Sequence, residues 1–179
     1  MYPMNMNANL NQINVSETDL CNRFARILEG RVLESRDGLC VVARRRNLSV
    51  EIAGRPTQSP LVLDALFSFE SMDTLGRTLN LGETVILQEE INRFIRALQR
   101  QGILVTALHN HWLFETPRLM YIHFFSIDEP LSFARKVARA FRLLEDNAFD
   151  DDLLGSLDDN FKDTFHPESP KAPNDSLNR

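Results

Sequence analysis

The sequence predicts an α+β fold in which an antiparallel sheet carries helices packed on one face. Three observations carry that reading. Asp37-Gly38 joins two short apolar runs as a hairpin turn would, and Leu48 to Ile52 alternates apolar and polar with the strand period of two. Ile91, Phe94, Ile95 and Leu98 recur at helical spacing, as do Ala134, Val137, Ala138 and Phe141. The second half therefore reads strand, helix, strand, strand, helix, so that two helices cover one face of the strands.

The elements follow in order. Residues 1–14 are rich in Asn and Met with no period and read as a disordered lead-in. Ser16 stands as N-cap with Asp19 three residues on, Leu20, Phe24, Ile27 and Leu28 form an apolar stripe, and Gly30 stops that helix. Arg31–Glu34 and Leu39–Ala43 pair about Asp37-Gly38, where glycine tolerates positive φ. Leu48–Ile52 is a half-buried strand that ends at Gly54-Arg55-Pro56. Leu61 to Phe69 reads as a strand, straight or bulged. Met72–Gly76 is a loop, and Thr78–Leu87 is a further strand with Gly82 as a possible break. Glu89–Arg100 is the clearest helix, with Gly102 past its end. Ile103–Leu108 reads as a buried strand and Leu119–Phe125 as its antiparallel partner. Asp128 caps the last helix, with Pro130 in its first turn.

After Leu144 the pattern fades, apart from a helical turn suggested around Leu153-Leu154. Residues 145–163 carry a charge of −7 and the rest of the chain +2, so the acidic bias belongs to the end of the chain and the folded part is nearly neutral. Pro167, Pro170 and Pro173 stand among Ser, Lys and Asn. The expected organisation is a single α+β domain over 15–145, then an acidic, proline-containing flexible tail over 146–179. The leading residues have no basic start and no apolar core, and no run reaches the ~20 apolar residues of a membrane span, so a cytoplasmic protein without a membrane partner is expected. Cys21 and Cys40 read as buried free thiols, with a disulfide as the alternative.

Three of the four histidines fall within fifteen residues. His109 and His111 are two apart on a strand and so share a face. His123, on the next strand, joins them if the register sets it opposite an odd-numbered residue such as Ala107, and a shift of one residue sends it to the other face. Converging imidazoles would make a three-histidine site suited to a divalent metal, Zn²⁺ first, with one coordination position open. Glu115 in the hairpin loop and Glu90 on the preceding helix are the candidate carboxylates for a fourth ligand, a histidine partner or a general base. The competing reading is a set of structural histidines bound to backbone groups. Arg118, after Pro117, either clamps an anionic ligand or pins the loop through Glu115 or Glu90. Trp112 reads as packing over the hairpin end, with a lid or stacking platform as the alternative.

Arg44-Arg45-Arg46 reads as a charged edge that discourages sheet-to-sheet pairing, with an anion contact as the alternative. The arginines of the two later helices read as solvated faces. No aromatics are interleaved as on an RNA-binding sheet, so nucleic acid is not an expected partner. Phosphate-loop, nucleophile-elbow and H-E-x-x-H motifs are missing from the sequence.

Glu89-Glu90-Ile91-Asn92, then Gly102-Ile103-Leu104-Val105-Thr106-Ala107-Leu108-His109-Asn110-His111, then Glu115-Thr116-Pro117-Arg118 and Tyr121-Ile122-His123-Phe124 together resemble the LppY/LpqO family, a bacterial domain of unknown function. The resemblance is strong over residues 61–142 and weaker over 30–55. It implies that the polar positions Glu90, Asn92, His109, Asn110, His111, Glu115, Arg118 and His123 belong together, with Asn92 and Asn110 joining Arg118 as ligand-binding candidates. Trp112 stands where methionine is more usual in the family. The chain reads as a single copy without a lipoprotein leader, so membrane anchoring is not carried over. The functional expectation is a small-ligand or divalent-metal binding protein, with metal-assisted hydrolysis or a lyase step as its chemistry if it is an enzyme. The alternative is a non-catalytic protein-interaction module with structural histidines. A homo-oligomer is allowed, and a dimer formed by sheet pairing would favour the alternative.

Overall fold

A computed structural model of the chain describes residues 18–145. The Ser16 cap, the lead-in and the acidic tail expected from sequence lie outside the described residues. The elements run α1 (18–27), β1 (Arg31–Arg36), β2 (Leu39–Arg45), β3 (Val50–Ile52), β4 (Arg55–Thr57), α2 (Pro60–Leu63), β5 (Asp64–Glu70), β6 (Thr78–Leu87), a 3₁₀ turn (Gln88–Glu90), α3 (Ile91–Gln99), β7 (Leu104–His109), β8 (Glu115–Thr116), β9 (Leu119–Asp128) and α4 (Pro130–Glu145). Six strands form one antiparallel sheet in the order β1-β2-β5-β6-β9-β7, and β4-β3-β8 form a small second sheet. The fold is α+β, as the sequence predicts.

One face of the large sheet takes the helices. Phe24 of α1 and Leu28 just past its end, Phe94 and Leu98 of α3, and Phe133, Val137 and Phe141 of α4 pack on Val42, Phe67, Ile86, Ile122 and Phe124. All are buried, and Phe94 meets Phe141 edge-on at 5.5 Å. Each phenylalanine so buried stabilises the fold by roughly 1.5–3 kcal/mol. Strand β6 is continuous through Gly82. A Cβ there would lie 2.2 Å from the Phe124 ring, so glycine marks a close approach and not a break.

The other face is covered at one end only. There α2 and the small sheet place Val50, Val62 and Leu63 over Val85, Leu119 and Tyr121. Ser59 accepts a hydrogen bond from the Leu61 amide and starts α2, so Leu61 to Phe69 divides into a helical turn and a strand where sequence suggested one strand. Ala53 and Gly54, at φ 50° and 71°, turn β3 back into β4, so Arg55 and Pro56 are paired and do not simply end the strand.

Other expectations need correction. Cys21 and Cys40 are joined in a disulfide with Cα atoms 5.5 Å apart, fastening α1 to β2, where free thiols were expected. Their elements are separate in sequence and meet only through packing. Glu29, not Gly30, takes the left-handed conformation after α1 (φ 55°). Gly30 is small because a Cβ would stand 2.5 Å from Val42 Cγ1. Strand β7 is the sheet's edge, with Leu104 58% exposed, and is not a buried strand. Glu129 caps α4 by accepting from the Leu131 and Ser132 amides, while Asp128 accepts from the Glu129 amide and pairs with Lys136. The arginine run is not an edge, because β2 is an interior strand. Arg44 is buried with its guanidinium 5.1 Å from the Phe141 ring centre, Arg46 is buried against Glu90, and Arg45 donates to Gln58.

Candidate metal centre

The β7–β9 ladder sets Ala107 opposite His123 and His109 opposite Tyr121. That is the register in which His123 joins the face of His109. A bulge between Val105 and Ala107 re-aims the edge strand just before the site. His111 lies past the end of β7, and its ring stacks on Tyr121 with centroids 3.6 Å apart. Tyr121 is itself fixed, since its hydroxyl donates to the Val62 carbonyl and accepts from Trp112 Nε1. Trp112 thus packs beneath the site, on the cluster under the small sheet.

One ring nitrogen from each of His109, His111 and His123 lies within 4.8 Å of the other two. Nitrogens so placed have a common centre within about 2.8 Å of all three, longer than the 2.0–2.1 Å of a zinc–imidazole bond, so the rings draw in when an ion binds. The His109 ring is stacked between those of His111 and His123, with centroids 4.9 Å and 4.8 Å away, so the rings must turn to aim three nitrogens at one ion; His109 and His111 are exposed and have room to do so, and His123 is half-buried. His123 Nε2 is buried without a hydrogen-bond partner. On its other side Nδ1 lies 3.3 Å from the Glu83 carboxylate. A carboxylate behind a histidine fixes its tautomer and leaves the far nitrogen free to ligate. Burial, followed by repulsion from His109, lowers the pKa of His111, which favours the neutral ring that a metal requires.

Sequence reasoning missed Glu83. Its signal is a lone charge on the otherwise apolar odd-numbered face of β6, among Leu79, Leu81, Val85 and Leu87. Only the β6–β9 pairing, which sets Glu83 directly opposite His123, reveals its role.

The other candidates are placed differently. Glu115 sits in β8, which pairs with β3 and so ties the hairpin loop to the small sheet. Its Oε1 accepts from Asn110 Nδ2 and from Arg118 Nη1, each at 2.8 Å. Burial pushes the Glu115 carboxyl up, but the Arg118 hydrogen bond and charge outweigh it and hold the pKa below the ordinary value. Asn110 also donates to the Leu119 carbonyl. Asn110, Glu115 and Arg118 therefore form one network bracing the loop beside the histidines. Glu90 lies elsewhere, accepting from Arg46 at 2.8 Å and from the Leu87 amide at 2.9 Å. Asn92 is exposed on α3, in the helical layer, whereas the imidazoles stand on the opposite face of the sheet.

The match that places the chain among known proteins covers this whole arrangement. The chain belongs to the family described as Domain of Unknown Function (DUF1259), whose profile matches residues 22–143. That span includes the three histidines, Glu83 and the bracing loop. No curated protein and no solved structure matches the chain.

Proposed function

We propose that this protein binds a divalent metal ion, Zn²⁺ first, through His109, His111 and His123, and presents it to a small ligand. The observation that carries the reading is the convergence of three imidazole nitrogens within 4.8 Å, with His123 Nε2 buried and unpartnered. Glu83 orients His123 and offsets one positive charge. Three protein ligands leave a tetrahedral ion one open position, where a water or an anionic donor binds. A metal in such a site supplies Lewis acidity for hydrolysis or a lyase step. The roles suggested for Glu90 and Glu115 fall instead to structure, in a buried ion pair and in a loop brace. Arg118 pins the loop through Glu115 and keeps its exposed side chain at the rim.

The residue pattern over 102–111 and 121–124 supports a place for the chain in the bacterial LppY/LpqO group. Among the described residues no helix is long and apolar enough to cross a membrane. The Cys21–Cys40 disulfide favours an oxidising compartment over the cytoplasm expected from the leading residues. The testing experiment is metal content by plasma mass spectrometry on untagged protein, beside His109→Ala, His111→Ala and His123→Ala. Near-stoichiometric metal, lost in each folded variant, supports the reading. No metal and no uptake of added Zn²⁺ or Cu²⁺ overturns it and leaves the interaction module.

A further inference from the structure

The face that carries the histidines is layered in rows across the strands. One row, Val85 and Tyr121, lies under α2 and the small sheet. The next row runs Leu66, Glu83, His123, Ala107 and contains the site. The row after it runs Val41, Ser68, Leu81, Phe125, and no element covers it among the described residues. A cavity of about 540 Å³ lies along these last two rows, lined by Val41, Leu66, Leu81 and Phe125 with Glu83 and His123 at its border. That volume falls within the range of small-molecule sites. Its floor crosses three strand spacings from β2 to β9, about 14 Å. Leu81 is 40% exposed, so apolar surface faces water along it.

We propose that this trough holds the alkyl chain of an amphiphile whose monoanionic head, of the carboxylate class, occupies the open position on the metal. The inference rests on the metal reading above. Continuity decides the occupant. The apolar row begins one strand repeat, two residues along β9, from His123, so a chain bound to the ion at its head lies directly on Phe125 and Leu81. Charge agrees: a divalent ion held by three neutral imidazoles beside one Glu83 carboxylate keeps one positive charge for one anion. Apart from Glu83 and His123 at its border, the trough offers a long polar ligand only the side chains of Ser68 and Thr106.

The test is calorimetric titration of zinc-loaded protein with straight-chain carboxylates from acetate to dodecanoate, below their micelle concentrations. Affinity is expected to rise about fourfold per methylene until the trough is filled. Leu81→Asp, at an exposed position, should flatten that rise while retaining zinc, and Leu81→Asn should weaken it. His123→Ala should lose zinc and head-group anchoring together. A flat series with zinc bound overturns the trough and leaves the metal reading intact. Failure to take up zinc, seen separately in the metal analysis, overturns both. A sedimentation dimer that Leu81→Asp dissolves, with no carboxylate competing for the face, assigns the trough to a second copy of the chain and also overturns the proposal.

Discussion

Glu83 and His123 stand directly opposite each other across the β6–β9 ladder, and their side chains meet at 3.3 Å. The pair converts a strand histidine with two usable nitrogens into one with a single outward ligand atom. Glu83→Gln should therefore lower zinc affinity by roughly 10- to 100-fold with little change in thermal stability of the metal-free protein. Competition against a chelating dye checks this. An unchanged affinity assigns Glu83 to the surface.

Glu90 and Arg46 make the opposite case. Their side chains are 5% and 6% exposed and bonded at 2.8 Å. Glu90→Gln leaves the Arg46 charge buried without its counter-ion, and a loss of about 3 kcal/mol is expected in urea unfolding. Zinc affinity should not move, and a large drop at preserved stability would return Glu90 to the site.

Gly82 is set by the ring across from it. Gly82→Ala drives a Cβ into Phe124 and should cost roughly 1–3 kcal/mol, since rings in a packed core yield little. A neutral result in thermal melts would mean that β6 and β9 are looser than described.

The pH dependence follows from two carboxylates. Glu115 and Asp128 are each pushed up by burial, but hydrogen bonds and charge from Arg118 and from Lys136 hold both below their ordinary values. Their contribution to stability is complete above the unfolded carboxylate range near 4 and is lost as pH falls through the depressed folded values. Metal-free protein should hold its melting temperature from pH 7 to about 5 on their account and lose it below about 4. Glu115→Gln should flatten part of that acid limb. Zinc binding also weakens with acid, because ligation needs neutral rings.

Reduction tests the Cys21–Cys40 bond. A loop of this length is worth about 3 kcal/mol in the chain-entropy account, so a reductant should lower the melting temperature and expose two thiols. Two thiols titrating without reductant would contradict the disulfide.

What was legible in the sequence was local. The Asp37-Gly38 turn, the α3 stripe and the odd–even logic of the hairpin depend on neighbours a few residues apart, and each appears in the structure. The histidine trio was visible because strand periodicity and a short hairpin bring its members together. Glu83 was not, because β6 reaches β9 only across a long connection, and nothing near Glu83 names its partner. The same holds for Cys21 with Cys40 and for Arg46 with Glu90, pairs made by packing between separate elements. Gly30 and Gly82 misled for a related reason. Each is small to admit a neighbour from another strand, while the positive φ that glycine usually signals fell on Glu29.

The measurement closest to the central claim is zinc K-edge absorption fine structure on protein loaded with one equivalent of Zn²⁺. Three imidazole nitrogens near 2.0–2.1 Å and one oxygen donor are expected, with the imidazole signal falling in His123→Ala. A shell of oxygens alone, or a spectrum unchanged in that variant, would contradict the account.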